Sequence, residues 1–230
     1  MQTLDRTVPG RKLAAIVAFS SLPFAVITQV LLGMASAGNT NFLFESHELL
    51  SLPADRANAF YWGLWFDPFG YYLIYIPVII YAWKALRQVD ETIADMSSSF
   101  GVVYCLLGTY GAMHQAGAYE ALQAGYATAT SLEQSAAAAA WDATVGGQVR
   151  GLWLMEAFFA AVWMTGVGKL LMTAGKKALG ASAMIIGAAW FGQWIFASLD
   201  VLAVSNVMMA LVVLAAPFWT VWLGVTLWRA

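Results

Sequence analysis

Six stretches of mostly apolar residues, each about 20 residues or longer, constrain this chain more than any other feature. A helix of about 20 apolar residues is long enough to cross the hydrocarbon core of a bilayer. Hydrophobic residues make up 61% of the 230 residues and charged residues only 10%, whereas a soluble domain is about 25% charged. The sequence therefore predicts an all-α, polytopic integral membrane bundle that forms a single transmembrane domain. The predicted spans are 13–37, 59–83, 100–122, 149–172, 179–204 and 207–228.

Lysine and arginine residues are distributed unevenly between the two ends of the predicted spans. Loops on the cytoplasmic side of a membrane protein carry an excess of these residues. Six spans place nine of the eleven Lys and Arg residues on one side, and only Arg56 and Arg150 on the other. Both termini are therefore predicted to be cytoplasmic. The nine residues are Arg6, Arg11, Lys12, Lys84, Arg87, Lys169, Lys176, Lys177 and Arg229.

The connections between the predicted spans differ greatly in length. The first long outer connection contains His47 in the sequence ESHELLS, which lacks the second histidine of a zinc-protease motif. The second, 123–148, contains SLEQSAAAAAWDA, in which Ser131 and Gln134 form a capping-box pattern. This pattern predicts a short helix on the outer surface. Only one or two residues, around 205–206, join the last two spans, which are expected to form a tight antiparallel hairpin.

Four ionisable residues interrupt the predicted spans, namely Asp67, His114, Glu156 and Asp200. An aspartate at the centre of a membrane helix costs about 2.5–3.5 kcal/mol, so such residues usually face the protein interior. By residue count, each of the four lies in the outer half of its span. If their helix faces point inward, they line one polar pocket that opens outward. The other polar residues expected near this pocket are Tyr110, Gln115, Gln193, Arg150 and Glu120.

Three interpretations of this polar cluster stay open. The first is a buried network that fixes the register of the helices, and the second is a pocket for a substrate or an ion. The third is a divalent-metal site for catalysis, with His114, Glu156 and Asp67 as ligands and His47 folded in from its loop. Haem and retinal are disfavoured as cofactors, because only one histidine lies within the spans and Lys169 lies near a span's end.

The stretch WFDPFGYY places Asp67 directly before Pro68 in the second span. Proline has no N–H, so Pro68 leaves the carbonyl of Leu64 without its helical donor and is expected to kink the helix there. Pro77 is expected to do the same to Leu73. Transporters often place their binding sites where such a helix is interrupted. A small-solute or ion transporter is therefore one alternative function.

Several features of the chain recur together in one family. They are a basic lead into the first span, a long first outer loop, an acid in the second span (Asp67), an acid early in the fourth (Glu156), and the ending PFWTVWLGVTLWR. In these features the chain resembles an uncharacterised bacterial family of six-helix integral membrane proteins, one of the domain-of-unknown-function families. The resemblance implies a six-helix fold in a bacterial inner (cytoplasmic) membrane. It implies no activity.

The residues together predict a membrane-embedded binding or accessory protein with an outward-facing polar pocket. Small polytopic proteins without a catalytic motif often act in assemblies, so a role as a subunit of a larger membrane complex is also expected. A metal-dependent membrane enzyme that uses the same cluster is the other alternative, beside the transporter. The lipid bilayer and other membrane subunits are the expected partners. Nucleic acid is not expected as a partner, because the net charge of −2 provides no basic excess.

Overall fold

The computed structural model describes residues 8–37 and 46–229, and these residues form helices and no strands. This confirms the all-α prediction. A three-residue 3₁₀ turn, Tyr126–Thr128, precedes α6, and a π-helical turn, Gln148–Leu152, joins α6 to α7. The α-helices are α1 (Arg11–Ser36), α2 (Ser46–Leu50), α3 (Ala54–Tyr71), α4 (Tyr75–Leu86), α5 (Glu91–Gln123), α6 (Ser131–Gly147), α7 (Trp153–Thr173), α8 (Lys177–Ser198) and α9 (Leu202–Arg229).

Five helical segments of the described chain are long and apolar enough to cross a membrane. They correspond to five of the six predicted spans. The predicted span 100–122 lies within α5, which does not belong to this set. The serines at 97–99 and polar residues such as His114 and Gln115 lower its hydropathy. The five segments are Arg11–Ser36, Ala54–Leu86, Ser131–Thr173, Lys177–Ser198 and Leu202–Arg229.

The helix predicted in the second outer connection does form, but it is continuous with the fourth predicted span through the π-helical turn. Its cap lies one residue earlier than predicted. The Thr130 hydroxyl accepts a hydrogen bond from the Glu133 N–H (3.4 Å), and the Glu133 carboxylate accepts one from the Thr130 N–H (2.7 Å). The sequence holds two overlapping capping boxes, and the one closed by a carboxylate, the stronger acceptor, forms.

The turn between α8 and α9 also lies earlier than predicted. It was expected around 205–206, but α8 ends at Ser198 and α9 begins at Leu202. The N–H groups of residues 199–201 bond back to carbonyls of the last turn of α8. Asp200 has a left-handed backbone (φ 60°), which aspartate tolerates better than most residues. Hydropathy did not reveal this turn, because apolar residues flank it on both sides.

The long helices pack into a closed ring. The neighbouring pairs are α1 with α3, α3 and α4 with α5, α5 with α7, α7 with α8, α8 with α9, and α9 with α1. Tyr71 connects three of these helices, because its hydroxyl accepts a hydrogen bond from the Gln29 amide (3.2 Å) and donates one to the Val213 carbonyl (3.3 Å). Glycines bring α7 and α8 close together, since a Cβ on Gly180 would lie 2.5 Å from the Gly168 oxygen.

The buried residues form two separate cores. The larger core occupies the ring and is rich in aromatic side chains, among them Tyr75, Tyr104 and Trp163. The second core joins α2, the start of α3, the end of α5 and α6, with Trp141 fully buried at its centre. Phe60 packs edge-on against Tyr119 in this second core (4.7 Å). The candidate site lies along α3, α5 and α7 beside the larger core, which includes Tyr104 and Cys105 and against which Tyr72 packs.

Candidate functional site

The second predicted span is interrupted, and this interruption shapes the site. Helix α3 ends at Tyr71 and α4 begins at Tyr75. Pro68 lies inside α3, so the break falls four residues after the predicted kink. Leu73 donates its N–H to the Pro68 carbonyl (2.7 Å), and its own carbonyl accepts from Ile76 (3.3 Å). Pro77 has no N–H to donate to the Leu73 carbonyl, so the three-residue bond from Ile76 closes a tighter turn there.

Side chains of α5 support the interruption. The carbonyl of Tyr71, the last residue of α3, accepts a hydrogen bond from the Tyr104 hydroxyl (3.0 Å). The last carbonyls of a helix have no partner within the helix, so this side chain satisfies a group that the break exposes. The Tyr72 ring packs directly on Gly108, where a Cβ would lie only 2.0 Å from the nearest ring carbon. Tyr72 also contacts the Tyr104 ring, with centroids 5.3 Å apart.

A pair of carboxyl groups lies beside this interruption. Glu156, near the start of α7, is only 4% exposed, and its Oε2 atom has no hydrogen-bond partner. Tyr72 lies next to Glu156 at the interruption, and Asp67 on α3 interacts with Glu156 electrostatically. Tyr104 and Cys105 face Glu156 from α5. Neither carboxyl forms an ion pair with any described residue.

His114 lies away from the acid pair. Its side chain is exposed and stacks on the exposed ring of Tyr110, with centroids 5.5 Å apart. Its Nδ1 atom lies 3.0 Å from the side-chain nitrogen of Gln148, which also donates to the Gly111 carbonyl (3.0 Å). The amide of Gln148 therefore ties the π-helical turn to α5. His114 belongs to this contact and not to a pocket shared with Glu156.

Three other predicted residues lie on exposed positions. Asp200 lies in the turn between α8 and α9, and Arg150 lies in the π-helical turn. Glu120 is exposed near the end of α5 and accepts a hydrogen bond from the Tyr61 hydroxyl (3.4 Å). All three side chains are exposed, and no described contact joins any of them to the acid pair. Their place in one pocket with Asp67 and Glu156 stays a prediction.

The two predicted glutamines are buried. Both amide atoms of Gln115 and the Oε1 atom of Gln193 lack a hydrogen-bond partner. The side chain of His47 lies outside the described residues, so its predicted place near the cluster is untested. Within the described residues, no group of three or more His, Cys, Asp and Glu side chains converges as a metal site would require. The predicted set of His114, Glu156 and Asp67 is therefore not assembled.

Two cavities of the described chain lie away from the acid pair. One is an open groove of about 310 Å³ between α8 and α9, and the other is an apolar space of about 10 Å³ in the larger core. The groove is lined by Ser182, Ile185, Ile186, Ala215, Phe218, Trp219 and Trp222.

The sequence reasoning placed other residues of α5 in the pocket but missed Tyr104 and Gly108, which support the interruption. Tyr104, Gly108, Gly111 and Gln115 recur at helical spacing and form one buried face of this helix. That periodicity was available in the sequence as a signal for an inward stripe. Gln148 carried no such signal, because its role depends on the π-helical turn.

Comparison of the chain with protein-family models, with curated proteins and with solved structures finds no match. The acid pair, the interrupted helix and the α5 face that supports them are therefore interpreted from the chemistry of these residues alone.

Proposed function

We propose that this chain is a membrane-embedded binding or accessory protein whose ligand site is centred on Glu156 and Asp67. One observation carries the proposal: the Glu156 carboxyl is buried and its Oε2 atom has no partner. An unpaired carboxyl inside a protein is costly. Ionisable residues within membrane segments commonly mark binding sites or ion pathways for this reason.

A purely structural role for the polar cluster fits the contacts less well. A network that only fixes helix register satisfies nearly all of its buried polar atoms. Here Glu156, Gln115 and Gln193 each bury at least one polar side-chain atom without a partner. Such atoms are the ones that a bound ligand or water would satisfy.

A small-solute or ion transporter is the second candidate function. The interruption at 72–74 lies five residues after Asp67 and places Tyr72 against Glu156. Interrupted helices next to charged groups are typical of transporter binding sites. The metal-dependent enzyme that the sequence left open has no comparable support, because His114 lies on the exposed face of α5.

We further propose that α5 is the sixth span, that both termini are cytoplasmic and that the membrane is a bacterial inner membrane. Helix α5 packs between α3, α4 and α7, which belong to candidate spans. Lys12→Cys and Glu120→Cys, each made with Cys105→Ala, test the orientation with a membrane-impermeant maleimide on intact cells. Labelling of position 120 alone is expected, and labelling of position 12 would contradict the topology.

The binding site is tested with dicyclohexylcarbodiimide, an apolar reagent that couples to carboxyl groups. We expect the folded wild-type protein in mild detergent to be labelled at Glu156, as located by peptide mass mapping. Glu156→Gln should abolish this label. The matched control Glu120→Gln removes an exposed acid of α5 and should leave it unchanged.

Labelling of Glu156 only after the protein is unfolded would show that packing seals the carboxyl, and would contradict the proposed site.

Native mass spectrometry of the same preparation tests the accessory role. Complexes heavier than one chain are expected, whereas a monomer under all conditions would count against association with other subunits.

A further inference from the structure

We infer that the acid pair binds a monovalent metal cation between Glu156, Asp67 and Tyr72. This inference rests on the proposed function, because it names the ligand class of the same site. It concerns a dehydrated Na⁺ or K⁺ ion held by oxygen atoms at the interruption between α3 and α4.

The charges of the site favour a cation. Glu156 is faced by Asp67 from α3, by Tyr72 from the interruption, and by Tyr104 and Cys105 from α5. None of these groups carries a positive charge, and neither carboxyl is paired with a lysine, arginine or histidine of the described chain. An ionised carboxyl in such surroundings requires a counter-charge. A small cation supplies it at the unpartnered Oε2 atom of Glu156.

The donor atoms are those that hard cations prefer. Carboxylate and hydroxyl oxygens suit alkali and alkaline-earth ions, whereas thiolates and imidazoles select softer metals. Asp67, Glu156 and Tyr72 provide two carboxyl groups and one phenol, and the predicted imidazole of His114 is directed elsewhere. Oxygen donors without a histidine therefore favour an alkali or alkaline-earth ion over zinc, copper or iron.

The number of acids favours a monovalent ion over a divalent one. Calcium takes about 6–8 oxygen ligands and magnesium demands near-octahedral coordination. The described residues place only two carboxyl groups together, without a third acidic, histidine or cysteine ligand. A divalent ion in this setting would lose more hydration energy than the few protein oxygens restore. A monovalent ion carries less charge out of water and fits two carboxyls and a hydroxyl.

The test measures how salts protect Glu156 in the wild-type protein from dicyclohexylcarbodiimide. Labelling rates are compared in NaCl, KCl, choline chloride and MgCl₂ at matched ionic strength. We expect NaCl or KCl to slow labelling by about tenfold when the ion is present at ten times its Kd, with saturation, and choline chloride to have no effect. Asp67→Asn should raise the cation concentration needed for half-protection.

Each other outcome overturns one of the two proposals. Equal protection by choline chloride would identify an ionic-strength effect, and protection by MgCl₂ at lower concentrations than NaCl would identify a divalent site. Labelling that no salt slows would refute the cation and leave the binding site standing. A wild-type protein that is not labelled at all in its folded state would refute the site itself.

Discussion

The ring of Tyr72 lies where a side chain at position 108 would begin, and this contact gives the sharpest test of the interrupted helix. A Cβ on Gly108 would lie 2.0, 2.3 and 2.4 Å from three carbons of that ring. Carbon atoms pack best at about 3.5–4.0 Å. Gly108→Ala therefore forces the ring to move by about 1.5 Å, away from its contacts with Tyr104 and Glu156.

The expected cost follows from two opposing effects. Replacing a helical glycine by alanine stabilises an unobstructed helix by about 1 kcal/mol. Overpacking a core costs about 1–3 kcal/mol, and Tyr72 is a rigid ring that cannot bend aside. Gly117, on the same helix, faces open space, and a Cβ added there would have no atom within 4 Å. The helix-propensity gain is common to both variants and cancels, so we expect Gly108→Ala to be less stable than Gly117→Ala by about 1–3 kcal/mol.

The assay is reversible unfolding in mixed micelles of increasing SDS content, followed by far-ultraviolet circular dichroism. The free energies of unfolding of the wild type, Gly108→Ala, Tyr72→Ala and Tyr72→Ala/Gly108→Ala form a double-mutant cycle. Gly117→Ala, alone and combined with Tyr72→Ala, is the control. Removing the ring should abolish the penalty at position 108, so the mutant cycle should show a coupling that the Gly117 variant lacks. Equal stability of Gly108→Ala and Gly117→Ala would refute the placement of Tyr72 against α5.

Two further predictions concern single hydrogen bonds. Tyr104→Phe leaves the buried Tyr71 carbonyl without its donor, so the free energy of unfolding should fall by about 1–3 kcal/mol in the same assay, and an unchanged value would contradict a role for Tyr104 in supporting the end of α3. The pKa of Asp95 is lowered from 3.8, chiefly by the hydrogen bond from the Trp83 indole and also by Arg87. Because the folded-state pKa lies below the unfolded one, this contact stabilises the protein above the ordinary aspartate pKa and is lost as the pH falls through the lower folded value. Unfolding measured across this acid range should therefore show a pH dependence that Asp95→Asn reduces, and an identical profile would contradict it.

Hydropathy predicted most of the fold because the apolar stretches are long and separated by polar or charged residues. It placed the ends of helices poorly where the turn itself is apolar. The turn before Leu202 is set by the left-handed backbone of Asp200, and the flanking residues do not differ in hydropathy from those of a helix. The helix breaks after Tyr71 and not at Pro68. Pro77 cannot donate an N–H to the Leu73 carbonyl, so Ile76 donates to it instead and the turn forms further along the span.

The candidate site was predictable in part. Residue counting placed Asp67 and Glu156 at similar depth, and the structure brings these two side chains into electrostatic contact. Counting residues along a span gives the depth of a side chain in the membrane, but not the side of the helix from which it projects. His114 and Gln115 are adjacent in the sequence, yet the first is exposed and the second is fully buried. Only the packing of α7 against α5 decides which of two neighbouring polar residues points inward.

The closed ring of helices has a consequence for how the protein is made. Helix α1 and helix α9 are neighbours, and the Tyr71 hydroxyl bonds to Val213 of α9. Because α9 comes last in the sequence, the contacts that α1 and Tyr71 make with it form only after the rest of the chain has been synthesised. Glu156 on α7 precedes α9 in the sequence, so its carboxyl is synthesised before the ring can close. The last helix in the sequence is therefore the one that joins the two ends of the ring.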